Sequence, residues 1–149
     1  MSIWKPSVTV AAVIERNGKF LLVQENIEGK LVLNQPAGHL DPGESLVEGC
    51  RREALEETAH RFEPAGLVGI YRWYYAPKDV TYLRFCFHGR AGEALDRPLD
   101  REIVALHWLS AEELRQRKAE HRSALVQKCV DDYLAGQSFP LDVFSAEYS

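Results

Sequence analysis

Residues 38–57 read GHLDPGESLVEGCRREALEE, and the rest of the chain can be interpreted outward from this stretch. The segment from residue 36 to residue 43 is rich in proline, glycine and aspartate, which exclude a helix or a central strand and predict a shaped loop. Ser45 and Glu48 have the spacing of a capping box, and no proline interrupts residues 46–60. The stretch therefore predicts a loop followed by a helix from residue 46 to about residue 60.

The predicted helix has two chemically different sides. At 100° per residue, the side expected to face a sheet consists of Val47, Cys50, Ala54 and Thr58. Another side carries Glu53, Glu56 and Glu57, whose carboxylates repel one another at about 5–6 Å. Arg52 offsets part of this repulsion, and a hard cation such as Mg²⁺, which prefers carboxylate oxygens, would resolve the rest. Glutamate-rich helix faces are usually only solvated, so the helix alone leaves both interpretations open.

Apolar runs before this stretch predict strands. Residues 8–14 and 20–23 flank Asn17 and Gly18, a dipeptide typical of tight hairpin turns. A second turn signal precedes residues 31–33, a short apolar piece. The chain therefore enters the glycine-rich loop from a hairpin.

Strands and helices alternate in blocks after this stretch. The predicted strands are residues 63–75, 80–88 and 103–108, and the predicted helices begin at Ser110 and cover residues 123–136. The order β-β-loop-α-β-β-β-α-α predicts an α/β fold with a mixed β-sheet and helices packed on it in layers. No linker or repeat divides the chain, so we expect one domain over residues 1–149.

Composition excludes several classes of protein. The 149 residues are 46% hydrophobic and 27% charged, which is typical of a globular chain. No apolar run reaches the roughly 18 residues of a membrane span, and three widely separated cysteines favour a reducing cytoplasm. A net charge of −4 argues against a nucleic-acid polymer as partner. Phosphate-binding loops of the Gly-x-x-x-x-Gly-Lys type are absent from the sequence.

The spacing of the loop and helix residues resembles the signature of the Nudix hydrolase family. It is carried by Gly38, Glu44, the Arg52-Glu53-Ala54 triplet, Glu56 and Glu57. The resemblance implies a Nudix-type α/β/α sandwich and hydrolysis of phosphoanhydride bonds in small molecules. It also implies a Mg²⁺ cofactor that Mn²⁺ can replace. The family pattern continues with glycine and an aliphatic residue, where this chain has Ala59 and His60. That departure concerns the end of the helix.

Roles for individual residues follow from the same resemblance. Glu56 and Glu57 would bind the metal, the carbonyl of Gly38 would assist them, and Glu53 would serve as a further ligand or as the base for water. Arg52 would orient Glu53, and Glu44 would brace the site or bind metal.

An acid from a later loop is common in the family. Glu102 is the first candidate for this acid and Asp100 the second, and either would otherwise be a solvated loop acid.

A wider resemblance connects the chain to a bacterial subgroup, the NudJ-type phosphatases. It rests on residues 34–40 (NQPAGHL), 83–85 (LRF) and 108–113 (WLSAEE), among others. The likeness implies nucleoside di- and triphosphates and thiamine-type pyrophosphates as substrates, with release of orthophosphate.

Two neighbouring strands offer residues for such a substrate. Trp73 and Tyr74 lie on opposite faces of the first strand, and either could stack on a flat ring, although strand aromatics more often belong to a core. Arg84 on the second strand could bind a terminal phosphate or form a surface salt bridge. Arg122 and Ser123, at a predicted helix start, are a further candidate anion site or a simple cap.

Three functional alternatives follow. The leading hypothesis is an Mg²⁺-dependent phosphohydrolase of small metabolites. The second is a pyrophosphohydrolase of dinucleotide polyphosphates or oxidised nucleotides on the same scaffold. The third is a non-catalytic nucleotide-binding module, although such modules typically lack some of the acids present here. A monomer and a homodimer are equally compatible with the sequence.

Overall fold

The computed structural model describes residues 2–145, which form a seven-stranded sheet with helices on both faces. The strands are β1 (Ser7–Arg16), β2 (Lys19–Ile27), β3 (Lys30–Asn34), β4 (Ala37–His39), β5 (His60–Tyr75), β6 (Val80–Ala94) and β7 (Ile103–Leu109). The α-helices are α1 (Leu46–Thr58), α2 (Ala111–Gln116) and α3 (Leu125–Leu134). Short 3₁₀ turns cover Ala76–Lys78, Lys118–Glu120 and Leu141–Val143.

The sheet is mixed, as predicted. Its main order is β3-β2-β1-β6-β5, with β4 paired to β1 and β7 paired to β2. β1 and β6 run parallel, whereas the other pairs are antiparallel. Asn17 and Gly18 both have positive φ, which is the geometry of the predicted hairpin turn between β1 and β2.

A cleft opens because β1 and β2 pair only next to their turn. Their registered pairs are Glu15 with Phe20 and Arg16 with Lys19. Beyond these pairs β1 continues with β4 and β6, while β2 continues with β3 and β7. The two halves of the sheet therefore diverge, and the space between them becomes the site described below.

Two apolar clusters hold the helices on the sheet. Cys50 and Ala54 of α1 pack against residues that include Val10, Ile14 and Phe87. On the opposite face, the cluster contains α2 and α3 residues together with strand residues: Leu114, Val126, Cys129, Val130, Ala11, Val13, Leu22 and Cys86. This arrangement is the expected α/β/α sandwich. The side of α1 that carries Cys50 and Ala54 faces the sheet, as its periodicity predicted.

Several element boundaries differ from the sequence-based expectation. The loop contains the three-residue edge strand β4, since prolines exclude central strands but tolerate an edge. β3 is a full strand of five residues, and β6 continues to Ala94 because it pairs with the long strand β5. The predicted helix at residue 123 begins only at Leu125.

The end of α1 also differs from expectation. The helix stops at Thr58, and Ala59 adopts a left-handed conformation with φ 56° and ψ 25° where the family pattern has glycine. Its N–H donates to the carbonyl of Leu55 at 3.0 Å. His60, expected at the helix end, is instead the buried first residue of β5. The helix therefore has its left-handed cap without a glycine, and β5 begins directly after it.

None of the helices in residues 2–145 combines the length and apolarity needed to cross a membrane.

Candidate active site

Helix α1 brings the acidic side chains to the cleft. Its start is fixed by a complete capping box, in which Ser45 Oγ accepts from the Glu48 N–H at 3.1 Å and Glu48 Oε1 accepts from the Ser45 N–H at 2.9 Å. Because the helix packs closely on the sheet, Glu53 and Glu57 at the edge of its packed side are only 9% and 4% exposed. Glu56 is partly buried beside them. The helix thus presents three carboxylates to one region.

The glycine-rich loop lies directly against these carboxylates. The N–H of Ala37 donates to Glu57 Oε1 at 2.9 Å. A Cβ atom at Gly38 would overlap the carboxylate of Glu53, so the close approach of this backbone requires glycine. The predicted proximity of Gly38 to the acids is therefore present.

Arg52 connects the loop to the acids. Its guanidinium donates twice to Glu44, with Nε at 3.0 Å and Nη2 at 2.6 Å, and its Nη1 donates to Glu53 Oε1 at 2.8 Å. Nη2 also donates to the carbonyl of His39 at 2.9 Å. Hydrogen bonding to Arg52 lowers the pKa of Glu44. Glu44 is therefore placed to brace Arg52, and Arg52 is placed to orient Glu53.

Two further acids reach the cluster from the segment before β7. Carboxylate oxygens of Glu53, Glu56 and Asp100 lie within 4.8 Å of one another, and so do those of Glu57, Asp100 and Glu102. The Asp100 N–H donates to the carbonyl of Glu56 at 3.0 Å, which ties this segment to the end of α1. Asp100 belongs to both groups. The second candidate for the acid from a later loop therefore lies more centrally than Glu102, the first candidate.

The electrostatics of the cluster fit a divalent cation. Burial raises the pKa of Glu57 to about 9, and the Ala37 N–H only partly opposes this rise. Burial also raises the pKa of Glu53, against the effect of Arg52, and the pKa of Asp100. Carboxylate oxygens are the ligands that hard divalent cations prefer. The donor set therefore suits a divalent metal.

A cavity of about 830 Å³ is lined by four of these acids: Glu53, Glu57, Asp100 and Glu102. Its lining also includes Trp73, Tyr75, Tyr82 and Arg84. Sequence reasoning selected Trp73 and Arg84 among these, and it left Tyr75 and Tyr82 unselected. The cavity is thus lined by acidic, aromatic and basic side chains.

Tyr74 is a correction to the sequence-based prediction. Its side chain is half exposed and lies outside the cavity, and its hydroxyl donates to Asp79 Oδ1 at 2.8 Å. The strand alternates, so Trp73 faces the cavity and its neighbour necessarily faces away. Tyr74 is therefore not placed to contact a substrate in this cavity.

Arg84 is buried rather than part of a surface salt bridge. It is 7% exposed, and its donors reach two amide oxygens and a sulfur: Gln35 Oε1 and Asn34 Oδ1, each at 2.9 Å, and Cys129 Sγ at 3.8 Å. Within residues 2–145, no carboxylate lies within 4.0 Å of its guanidinium. The alternative of a surface ion pair is therefore wrong.

Glu25 lines the cavity and was not predicted from the sequence. Glu25 on β2 is 2% exposed and accepts from Arg122 Nη1 at 2.6 Å. No local pattern marks it, because a single glutamate near a strand end is ordinarily solvated. Arg122 and Ser123 line the cavity, but they precede α3. Ser123 Oγ accepts from the Leu125 N–H at 3.2 Å, which is a local turn contact.

Comparison with known proteins agrees with this geometry. The NUDIX domain family model matches residues 4–129. Phosphatase NudJ of Escherichia coli K12 is 41% identical over 141 residues, covering 94% of this chain and 91% of the relative, and the Shigella flexneri protein of the same name matches equally. A solved NUDIX hydrolase structure from Nitrosomonas europaea has a TM-score of 0.92 at 52% identity, covering 95% of this chain and 97% of that one.

The matching region includes the loop, α1 and the strands that line the cavity, so sequence, fold and site agree. The chain belongs to the Nudix hydrolase family, enzymes that act on phosphorus-containing acid anhydrides.

Proposed function

We propose that this enzyme is an Mg²⁺-dependent phosphatase of small metabolites, with Mn²⁺ able to replace Mg²⁺. Its substrates would be nucleoside di- and triphosphates and thiamine-type pyrophosphates, from which it would release orthophosphate. The observation that carries the proposal is one cavity that joins the acid cluster to Arg84 and to Trp73. The similarity to proteins named Phosphatase NudJ supports the choice of a terminal phosphate as the leaving product.

The acid cluster would hold the metal. Glu56 and Glu57 from α1 would bind it with the carbonyl of Gly38, and Asp100 or Glu102 would complete the set. Glu53 would be a further ligand or the base for water. When bound, Mg²⁺ supplies charge neutralisation for the phosphate oxygens and makes the attacking water more acidic.

As the base, Glu53 would act on the attacking water. Arg52 holds its Oε1, and its other oxygen accepts no hydrogen bond from residues 2–145. That oxygen would accept a proton as the water oxygen bonds to the terminal phosphorus and the bridging P–O bond breaks with its electron pair on the leaving oxygen. Glu44 would support this step by holding Arg52 in position.

Other residues of the cavity would bind the phosphate end and the ring of the substrate. Arg84 would contact phosphate oxygens through its forked donors, and Trp73 would stack on a flat heterocycle. Tyr75 and Tyr82 widen this aromatic surface. Such contacts accept several rings, which fits a broad range of substrates.

A substrate panel tests this proposal. Thiamine pyrophosphate, ADP, ATP, a dinucleotide polyphosphate and a sugar nucleotide would be incubated with Mg²⁺, Mn²⁺ or EDTA, and orthophosphate and pyrophosphate would be scored separately. Metal-dependent orthophosphate from the first three compounds is the expected result. Pyrophosphate with monophosphate, or cleavage of the dinucleotide alone, would instead indicate a pyrophosphohydrolase of dinucleotide polyphosphates or oxidised nucleotides. No release from any compound would contradict the proposed substrate range.

We also propose a cytoplasmic location and a single domain. The three cysteines are free and buried, which supports a reducing compartment such as the cytoplasm. One domain over residues 1–149 is supported by the packing of α1, α2 and α3 on one sheet.

A further inference from the structure

We propose that Arg84 and Arg122 together form a subsite for the free terminal phosphate group of the substrate, and that Asn34, Gln35 and Glu25 position the two guanidinium groups. This inference rests on the proposed function, because it assumes that the free phosphate end of a phosphoanhydride substrate enters the cavity.

Arg84 is a buried positive charge to which an anionic ligand can bind. It is 93% buried, and the groups that accept its hydrogen bonds are two amides and the sulfur of Cys129, none of which is a carboxylate. A buried cation without a counterion is costly, and this cost is usually avoided by pairing. Since Arg84 lines the cavity and has no carboxylate partner among residues 2–145, an anion that enters the cavity can pair with it.

Gln35 fixes the direction of the Arg84 guanidinium. The Gln35 side chain is 1% exposed, and its Nε2 donates to the carbonyl of Val126 at 2.7 Å. This contact assigns the amide orientation, so Oε1 must point to Arg84 Nη1. Asn34 Oδ1 holds the other terminal nitrogen, Nη2. Two consecutive residues therefore orient the fork without neutralising it.

The same short segment also holds Arg122. The Arg122 N–H donates to the carbonyl of Leu33 at 2.9 Å, which places its backbone next to Asn34. Its side chain donates from Nη1 to buried Glu25 at 2.6 Å. Burial raises the pKa of Glu25, and Arg122 and Asn34 both act against this rise. Asn34 is thus a neighbour of both arginine sites.

Arg122 retains capacity to bind a second anion. Among the described residues, only Glu25 accepts a hydrogen bond from its guanidinium, and this contact uses Nη1 alone. The side chain is 44% exposed and lines the cavity, so Nε and Nη2 remain available to a ligand. A half-exposed arginine tied down at one nitrogen is preorganised to contact phosphate with the others.

Two guanidinium groups discriminate between kinds of phosphate. A terminal phosphate carries nearly two negative charges and three free oxygens near neutral pH. A diphosphate that is esterified at both ends carries only one negative charge per phosphorus. Its second ester group is bulky and takes the place of a free terminal oxygen. Charge-assisted hydrogen bonds favour the first type. The subsite therefore selects substrates with a free terminal phosphate.

A binding experiment separates this subsite from turnover. The probes are a non-hydrolysable ADP analogue with a methylene bridge between its phosphates and the same analogue capped by a second nucleoside, titrated calorimetrically with Mg²⁺. Wild type should bind the free-ended probe more tightly. Arg122→Lys and Arg84→Lys should each weaken that probe about tenfold and barely change the capped one. Arg115→Lys, whose side chain pairs with Glu112 and Asp131, is the matched control.

A Gln35→Glu variant tests the positioning role. A carboxylate at this place would neutralise Arg84, so KM for ADP should rise about tenfold while kcat changes little. A purely structural Gln35 would leave KM unchanged in the folded variant.

The outcomes also distinguish this inference from the proposed function. An unchanged preference for the free-ended probe in folded Arg122→Lys overturns the subsite, even if Arg84→Lys fails to fold and even if wild type releases orthophosphate. Arginine-dependent probe binding without turnover of any compound supports the subsite and contradicts the proposed phosphatase activity.

Discussion

Among the candidate metal ligands, Glu57 has the pKa that burial raises most. It is 4% exposed and accepts one hydrogen bond from the backbone. Its carboxylate oxygens and those of Asp100 and Glu102 lie within 4.8 Å of one another. Such a carboxylate is costly to charge unless a cation is present. The residue therefore suits metal binding better than structural support.

Glu57→Gln should abolish turnover while the fold is retained. The amide keeps the volume and the contact with the Ala37 N–H but removes the charge, so we expect a loss of at least about 10²-fold in kcat. Orthophosphate release and circular dichroism measure the two effects. Glu63→Gln, an exposed partner of Arg51, is the control. Near-normal turnover of Glu57→Gln would contradict the metal assignment.

Glu57 should also make the stability of the metal-free protein depend on pH. Its pKa is raised from 4.5 to about 9 in the folded state, so its contribution to the free energy of unfolding is present below about pH 4.5 and lost as pH rises through about 9. Denaturant unfolding in EDTA should show wild type losing stability relative to Glu57→Gln over this window. A constant difference between the two proteins from pH 5 to pH 9 would contradict this expectation.

The contact between the loop and α1 depends on a single glycine. A side chain at Gly38 would collide with the Glu53 carboxylate, which Arg52 holds in place. Gly38→Ala should therefore displace Glu53 and lower kcat about tenfold or more, as misplacement of reacting groups does. Gly92→Ala is the matched control, since its Cβ would meet its nearest atom only at 4.0 Å. Equal kcat values in the two variants would show that the loop is not tightly coupled to Glu53.

Two adjacent aromatic side chains of strand β5 point in opposite directions. Trp73 faces the cavity, whereas Tyr74 faces away and contacts Asp79. Trp73→Ala should raise KM for ADP about tenfold because stacking on a base contributes about 1–3 kcal/mol. Tyr74→Phe should leave KM within about twofold, since it removes only an exposed hydrogen bond. Steady-state kinetics measure both KM values. Similar KM changes in the two variants would show that the substrate ring does not stack on Trp73.

At the scale of the whole molecule, the site joins segments that are distant in sequence. The loop, α1, the segment before β7 and strands β2, β5 and β6 meet only because the two halves of the sheet diverge. A metal that bridges these segments should stabilise the entire fold.

Mg²⁺ should therefore raise the stability of the folded protein. At 100 times its Kd, a ligand that binds only the folded state adds about 2.7 kcal/mol to the free energy of unfolding. Thermal unfolding with and without Mg²⁺ measures the effect, with EDTA as the reference condition. Glu57→Gln should lose most of it, and Glu63→Gln should keep it. An unchanged wild-type midpoint at saturating Mg²⁺ would contradict the acid cluster as the metal site.

The local sequence predicted much of this architecture. The hairpin at Asn17 and Gly18, the capped start of α1 and its apolar side follow from short-range chemistry, and each is present. Element ends were less predictable, since β6 is extended by pairing with β5 and β4 exists only by pairing with β1. Pairing between strands is a long-range property that a single segment does not encode.

The sequence by itself determined the family, the layered fold and the acids of α1, because those residues lie within twenty positions and their spacing carries the information. The tertiary structure alone decided which side chains from other segments join them. It buried Arg84 beside the amides of Asn34 and Gln35, placed Glu25 beside Arg122, put Asp100 between the two groups of acids and left Tyr74 outside the cavity. The physical reason is that burial and charge pairing depend on the packing of distant strands, whereas capping and helical periodicity depend only on near neighbours.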